Sequence, residues 1–84
     1  MMVEIGCPSE QVAAAIAIKL ERLGCSGRMW ENVRHEYVED GHGGHWAFSG
    51  PPWTILSNAS EQGAIDVIRE VAREIPGEGA YIVA

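Results

Sequence analysis

Basic residues are scarce in this chain of 84 residues: six Lys and Arg stand against twelve Asp and Glu, a formal net charge of −6. Nucleic-acid binding draws most of its affinity from Lys and Arg that neutralise phosphates, so direct nucleic-acid binding is not expected. A basic protein partner fits the sign, and so does plain solubility charge on a small domain. Cysteine is scarce as well, with only Cys7 and Cys25. The two flank a segment that reads as a helix of about sixteen residues, whose ends stand about 24 Å apart. An intrachain disulfide needs Cα atoms within about 7 Å, so both are read as free thiols, which suits a reducing, cytoplasmic setting. Met1-Met2-Val3-Glu4 offers no basic region ahead of an apolar run, so no export signal is read there. The longest uninterrupted apolar stretch, Val12 to Ile18, is seven residues. That is far below the roughly twenty that cross a bilayer, and no membrane partner is expected.

A chain this short leaves room for one hydrophobic core, so residues 1–84 are read as a single domain. First-pass arithmetic sets apolar burial close to chain entropy at this size, so extra support is expected, and Cys7 and Cys25 cannot supply it as an intrachain disulfide.

Met2 to Ile5 is a short β-type run that stops at Gly6. Cys7-Pro8-Ser9-Glu10 then reads as a helix start with Cys7 at the cap, Pro8 in the first helical position and Glu10 in the first turn. Val12, Ala13, Ile16, Ala17, Leu20 and Leu23 share one face of this helix, and Gly24 ends it. Ala14 and Ile18 lie on its other side, so the first half is apolar nearly all round. Arg28 to Val38 and His45 to Phe48 read as a β-hairpin around the turn Glu39-Asp40-Gly41-His42-Gly43-Gly44. Met29, Glu31, Val33, His35 and Tyr37 alternate onto the more apolar of its two faces, which is expected to meet the helices. Gly50-Pro51-Pro52 breaks the chain, leaving Trp53 to Leu56 as either a strand or an extended lead-in. Asn58-Ala59-Ser60-Glu61 fits a capping box for a second helix with Ala64, Ile65, Ile68, Val71, Ala72 and Ile75 on its inner face and Val67 at the edge. Pro76-Gly77 stops it, and Ala80 to Val83 reads as a closing strand. Strand, helix, strand, strand, helix, strand resembles the element order of ferredoxin-like folds, which implies an α+β domain with two helices on one face of a four-stranded antiparallel sheet.

No constellation points to ordinary enzymology. There is no Gly-rich phosphate loop after a strand, no nucleophile elbow and no isolated carboxylate pair in an apolar run. Cys7-Pro8 resembles the dipeptide that small sulfur-carrier proteins place at a helix start, which implies thiol chemistry at Cys7. Glu10 stands where those carriers show a second Pro, and Glu4 and Glu10 oppose a thiolate, so a small buried residue is the expected role. His35, His42 and His45, with Glu36, Glu39 and Asp40 nearby, are residue types that suit zinc, nickel or copper. His and Asp are also common in turns for backbone reasons, and neither a metal nor another cofactor is expected.

Aromatic residues are the excess. Trp30, Tyr37, Trp46, Phe48 and Trp53 lie within 24 residues of one another, while the rest of the chain has only Tyr81. Trp and Tyr concentrate binding energy at protein interfaces when rigid elements present them. An RNA-binding sheet would also need basic neighbours, yet this stretch carries Glu31, Glu36, Glu39 and Asp40 against Arg28 and Arg34. The leading expectation is a non-enzymatic protein-binding module, homodimeric or bound to another protein, that uses Trp30, Tyr37, Trp46, Phe48 and Trp53 with Glu36, Glu39 and Asp40 at their rim. The alternatives are a small acidic inhibitor, of phage anti-defence or antitoxin type, that blocks a basic nucleic-acid groove, and a metal or thiol protein built on the His-rich turn or Cys7.

Overall fold

A computed structural model describes residues 1–32, 35–48 and 50–83; for 35–37 and 45–48 it describes the backbone without the side chains. The elements are β1 (Val3–Cys7), α1 (Glu10–Arg22), β2 (Arg28–Glu31), β3 (His35–Val38), β4 (His45–Phe48), β5 (Trp53–Ser57), α2 (Glu61–Glu74) and β6 (Tyr81–Ile82). Four strands form an antiparallel sheet in the order β2-β5-β1-β6, and β3 and β4 pair separately as a two-stranded hairpin. The protein is therefore α+β, with two helices and a four-stranded antiparallel sheet.

The long hairpin expected from Arg28 to Phe48 is divided. Its first four residues, β2, pair with β5 rather than with β4, with Arg28 opposite Leu56 and Trp30 opposite Thr54. Only β3 and β4 form the hairpin, Tyr37 opposite Trp46. Trp53 to Leu56, ambiguous from sequence, belongs to an inner strand flanked by β1 and β2. Ser57 at its end is fully buried, so its hydroxyl needs a partner within the protein, and it accepts a hydrogen bond from the Ala59 amide.

Alternation sorts the sheet into two faces. Met29, Ile55, Ile5 and Ile82 form one row across all four strands, on the face that carries the core. Val3, Ile5, Cys7 and Ile55 from the sheet join Val12, Ala13, Ile16, Ala17 and Leu20 of α1 and Ala64, Val67 and Val71 of α2 in one buried cluster. Met29 meets the helices as its place in the alternation predicts. Val33 lies outside the described residues, as do the side chains of His35 and Tyr37. Gly27 lets α1 close in, because a Cβ there would stand 3.1 Å from the Ala17 backbone.

Local chemistry explains where the helices start. Cys7 is the last residue of β1, opposite Trp53, and not a helix cap. Ser9 is the cap instead, its hydroxyl accepting from the Val12 amide at 3.2 Å; an oxygen does this better than a thiol. On α2 the cap is Ser60, which accepts from the Gly63 amide at 3.0 Å. Asn58, the capping residue expected from sequence, is taken up elsewhere: its Oδ1 accepts from the Ser26 amide at 2.8 Å, and its own amide donates to Ser26 Oγ at 3.0 Å. Three positions on the expected helix faces differ. Leu23 caps α1 and is 65% exposed, Ala72 is exposed, and Val67 is buried rather than peripheral. Lys19 ties the helices together, its Nζ 2.9 Å from Glu74 and 3.4 Å from Glu70. The hydrogen bond to Glu74 is the largest of the influences that raise the Lys19 pKa above its ordinary value. No helix among the described residues is long and apolar enough to cross a membrane.

Candidate protein-interaction surface

The sheet face opposite the core carries a second row in register: Trp30, Thr54, Gly6 and Tyr81, one residue from each strand. Three strand spacings put Trp30 and Tyr81 about 14 Å apart along this row. Between them the surface is paved locally. A Cβ on Gly6 would stand 2.8 Å from Cζ of the Tyr81 ring and 3.0 Å from Cγ of Pro51, so both side chains rest on the glycine backbone. Gly50, at φ +82°, is a backbone position that glycine adopts at least cost, just before Pro51.

Asn32 fastens the paving. Its Nδ2 donates to the Pro51 carbonyl at 3.1 Å and to Thr54 Oγ1, while its Oδ1 accepts from Trp30 Nε1 at 3.0 Å. Its backbone amide donates to the Pro52 carbonyl at 2.8 Å. Thr54, 3% exposed, is thereby satisfied, and the Trp30 indole is held in one orientation. Below lies a parallel row of Arg28, Leu56, Glu4 and Val83, fixed by strand pairing and by the Val83 amide donating to the Glu4 carbonyl at 2.8 Å. The platform exposes apolar groups, with Trp30 at 36%, Tyr81 at 50% and Val83 at 46%.

The residues singled out from sequence do not gather at one place. Trp30 is on the platform. Trp53 is on the opposite face, half-buried against the core cluster and opposite Cys7 and Glu31 in register. The side chains of Glu36, Tyr37, Trp46 and Phe48 lie outside the described residues. Glu39 is exposed. Asp40 closes its own turn, Oδ1 accepting from the amides of His42 at 2.8 Å and Gly44 at 3.1 Å. Gly41, Gly43 and Gly44 all have positive φ in that turn. Among the described residues, no three His, Cys, Asp or Glu side chains converge as a metal site would require.

Sequence reasoning missed Tyr81, Gly6, Pro51 and Asn32. For Tyr81 a signal existed: in a closing strand, alternation separates Tyr81 and Val83 from Ala80 and Ile82. The pairing of Gly6 with Tyr81 across β1 and β6 has no counterpart in local sequence.

Cys7 is fully buried, and burial pushes its thiol up to about 11. It is a neutral core group at physiological pH, the opposite of an activated nucleophile. A cleft of about 350 Å³ opens at the same end of the sheet, lined by residues that include Pro8, Pro51, Pro52, Glu78 and Tyr81. A second, of about 420 Å³, lies between Met1, Met2, Ile82 and the start of α2. In comparisons with known proteins, no family model, no curated protein and no solved structure matches the chain.

Proposed function

We propose that the protein is a non-enzymatic binding module of ferredoxin-like topology that docks another protein, or a second copy of itself, on the sheet face away from the core. The topological part rests on the interleaving of two split β-α-β units. β1-α1-β2 and β5-α2-β6 contribute β1 and β5 as the neighbouring inner strands, with β2 and β6 outside. In this reading the β3–β4 hairpin is an insertion between the two units.

The observation that carries the functional part is the Trp30–Thr54–Gly6–Tyr81 row. It presents two aromatic rings on a rigid sheet, one pinned by Asn32 and the other seated on a glycine. Rings held this way lose little conformational freedom on binding, which is what makes Trp and Tyr effective anchors. The core face of the sheet is occupied by α1 and α2, and on the other face Trp30, Tyr81 and Val83 stay exposed around the part that Pro51 and Asn32 cover.

Affinity capture from a native lysate tests the proposal. Capture is expected to fall with Trp30→Ala and Tyr81→Ala and to survive Ile18→Ala on the exposed side of α1. Capture that persists in the double platform variant would sink it. Running the capture at low and high salt separates apolar docking from an acidic inhibitor, whose grip on a basic groove weakens steeply with salt.

A further inference from the structure

The cleft of about 350 Å³ at the Cys7 end of the sheet borders the platform and shares Tyr81 and Pro51 with it. Its volume lies at the lower end of the range for small-ligand sites, room for one long side chain rather than for a folded element.

The chemistry of the cleft is one-sided. Glu78 is the charged residue among the described residues that line it, and it is exposed. Among the described residues the ion pairs are those of Lys19, so the Glu78 carboxylate is not neutralised within the chain. Pro8, Pro51 and Pro52 contribute walls without amide N–H groups. An anion would find few donors there, whereas a cation finds a carboxylate and the half-exposed ring of Tyr81. The walls are also fixed before any ligand arrives. Asn32 donates to the Pro51 carbonyl at 3.1 Å through its side chain and to the Pro52 carbonyl at 2.8 Å through its backbone, and Gly6 seats the Tyr81 ring.

We propose that this cleft takes an arginine side chain of the docked partner, its guanidinium against the Glu78 carboxylate and the Tyr81 ring and its methylene stem along the prolines; this rests on the docking reading above. Arginine suits both contacts better than lysine, because a planar guanidinium stacks on an aromatic ring while its N–H groups fork onto a carboxylate. The net charge of −6 favours the approach of a basic partner. One ion pair at an exposed carboxylate is worth little by itself, so the arginine sets the partner's orientation while the platform rings anchor it, and capture weakens only slightly with salt.

NMR titration of the intact chain with acetyl-arginine-methylamide tests this site. Saturable shifts are expected at the Gly79 and Tyr81 amides, with a dissociation constant in the millimolar range. The citrulline analogue keeps the shape without the charge, and it is expected to bind at least about threefold more weakly, as is the lysine analogue. Glu78→Gln is expected to weaken the arginine probe by a similar factor and to leave the citrulline probe unchanged, while Glu61→Gln at the second cleft changes neither. Circular dichroism checks that each variant is folded. Binding that is no tighter for arginine than for citrulline overturns the site, as does binding indifferent to Glu78→Gln or the lack of any saturable shift at tens of millimolar probe. An uncharged proline-rich peptide is the other occupant that a Tyr- and Pro-lined cleft takes, and tighter binding of acetyl-tetraproline-amide also overturns it. If lysate capture depends on Trp30 and Tyr81 but not on Glu78→Arg, the docking reading stands without the arginine site.

Discussion

The Tyr81 ring lies across Gly6, so closely that a Cβ on Gly6 would stand 2.8 Å from Tyr81 Cζ. This contact joins the first strand to the last and seats one of the two platform rings.

Gly6→Ala is expected to displace the Tyr81 ring and the Pro51 side chain and to destabilise the fold by about 1–3 kcal/mol, the usual cost of overpacking. Tyr81→Ala in the same chain removes one of the two obstacles, so the double variant should lose less than the sum of the singles. Urea denaturation of all four chains measures the cycle.

Asn32→Ala removes the partners of the Thr54 hydroxyl, the Pro51 carbonyl and the Trp30 indole together. Leaving a buried hydroxyl unsatisfied costs about 1–3 kcal/mol. Combining Asn32→Ala with Thr54→Val removes that hydroxyl and should recover part of the loss. Trp30 fluorescence is expected to shift to longer wavelength in both, because its ring is no longer held.

Alkaline pH should weaken the protein through two groups. The folded Cys7 thiol sits at about 11, up from 9.0. Its contribution is complete below the unfolded pKa and is lost as pH rises from about 9 to about 11. Lys19 is likewise raised, above 10.5, so its contribution is present below that value and is lost as pH climbs through the folded pKa. Cys7→Ala should flatten the first part of the profile measured by thermal melts. At neutral pH an alkylating reagent should reach Cys25, which is partly exposed, well before Cys7.

Ser60→Ala should cost about 1 kcal/mol by leaving the Gly63 amide without its acceptor. Asn58→Ala should destabilise through a different contact, the loss of its link to Ser26. Amide exchange separates the two. Ser60→Ala speeds exchange in the first turn of α2, whereas Asn58→Ala speeds it at Ser26.

Much of the architecture was legible along the chain. The 3.6-residue spacing of Val12, Ile16 and Leu20, and of Ala64, Ile68 and Val71, located both helices, because helix periodicity is a local property that burial of one face enforces. Gly24 and Pro76-Gly77 marked where they stop, since backbone constraint is local too. The short apolar runs were less decisive. Trp53 to Leu56 reads equally well as a strand or a lead-in until β1 and β2 flank it, and Arg28 to Val38 reads as one strand until β5 claims only its first four residues. Pairing between strands 25 or 50 residues apart leaves almost no trace in either segment.

The platform shows the same division. The sequence by itself determined that this chain is acidic, rich in Trp and able to build two amphipathic helices, because charge, composition and periodicity require no knowledge of the fold. The pairing of strands decided that Trp30 faces away from the core while Trp53 faces toward it, and that Tyr81 completes a row begun by Trp30. Strand order and register made those decisions: a side chain's face is set by the residue it stands opposite, and a shift of one position would exchange the two faces.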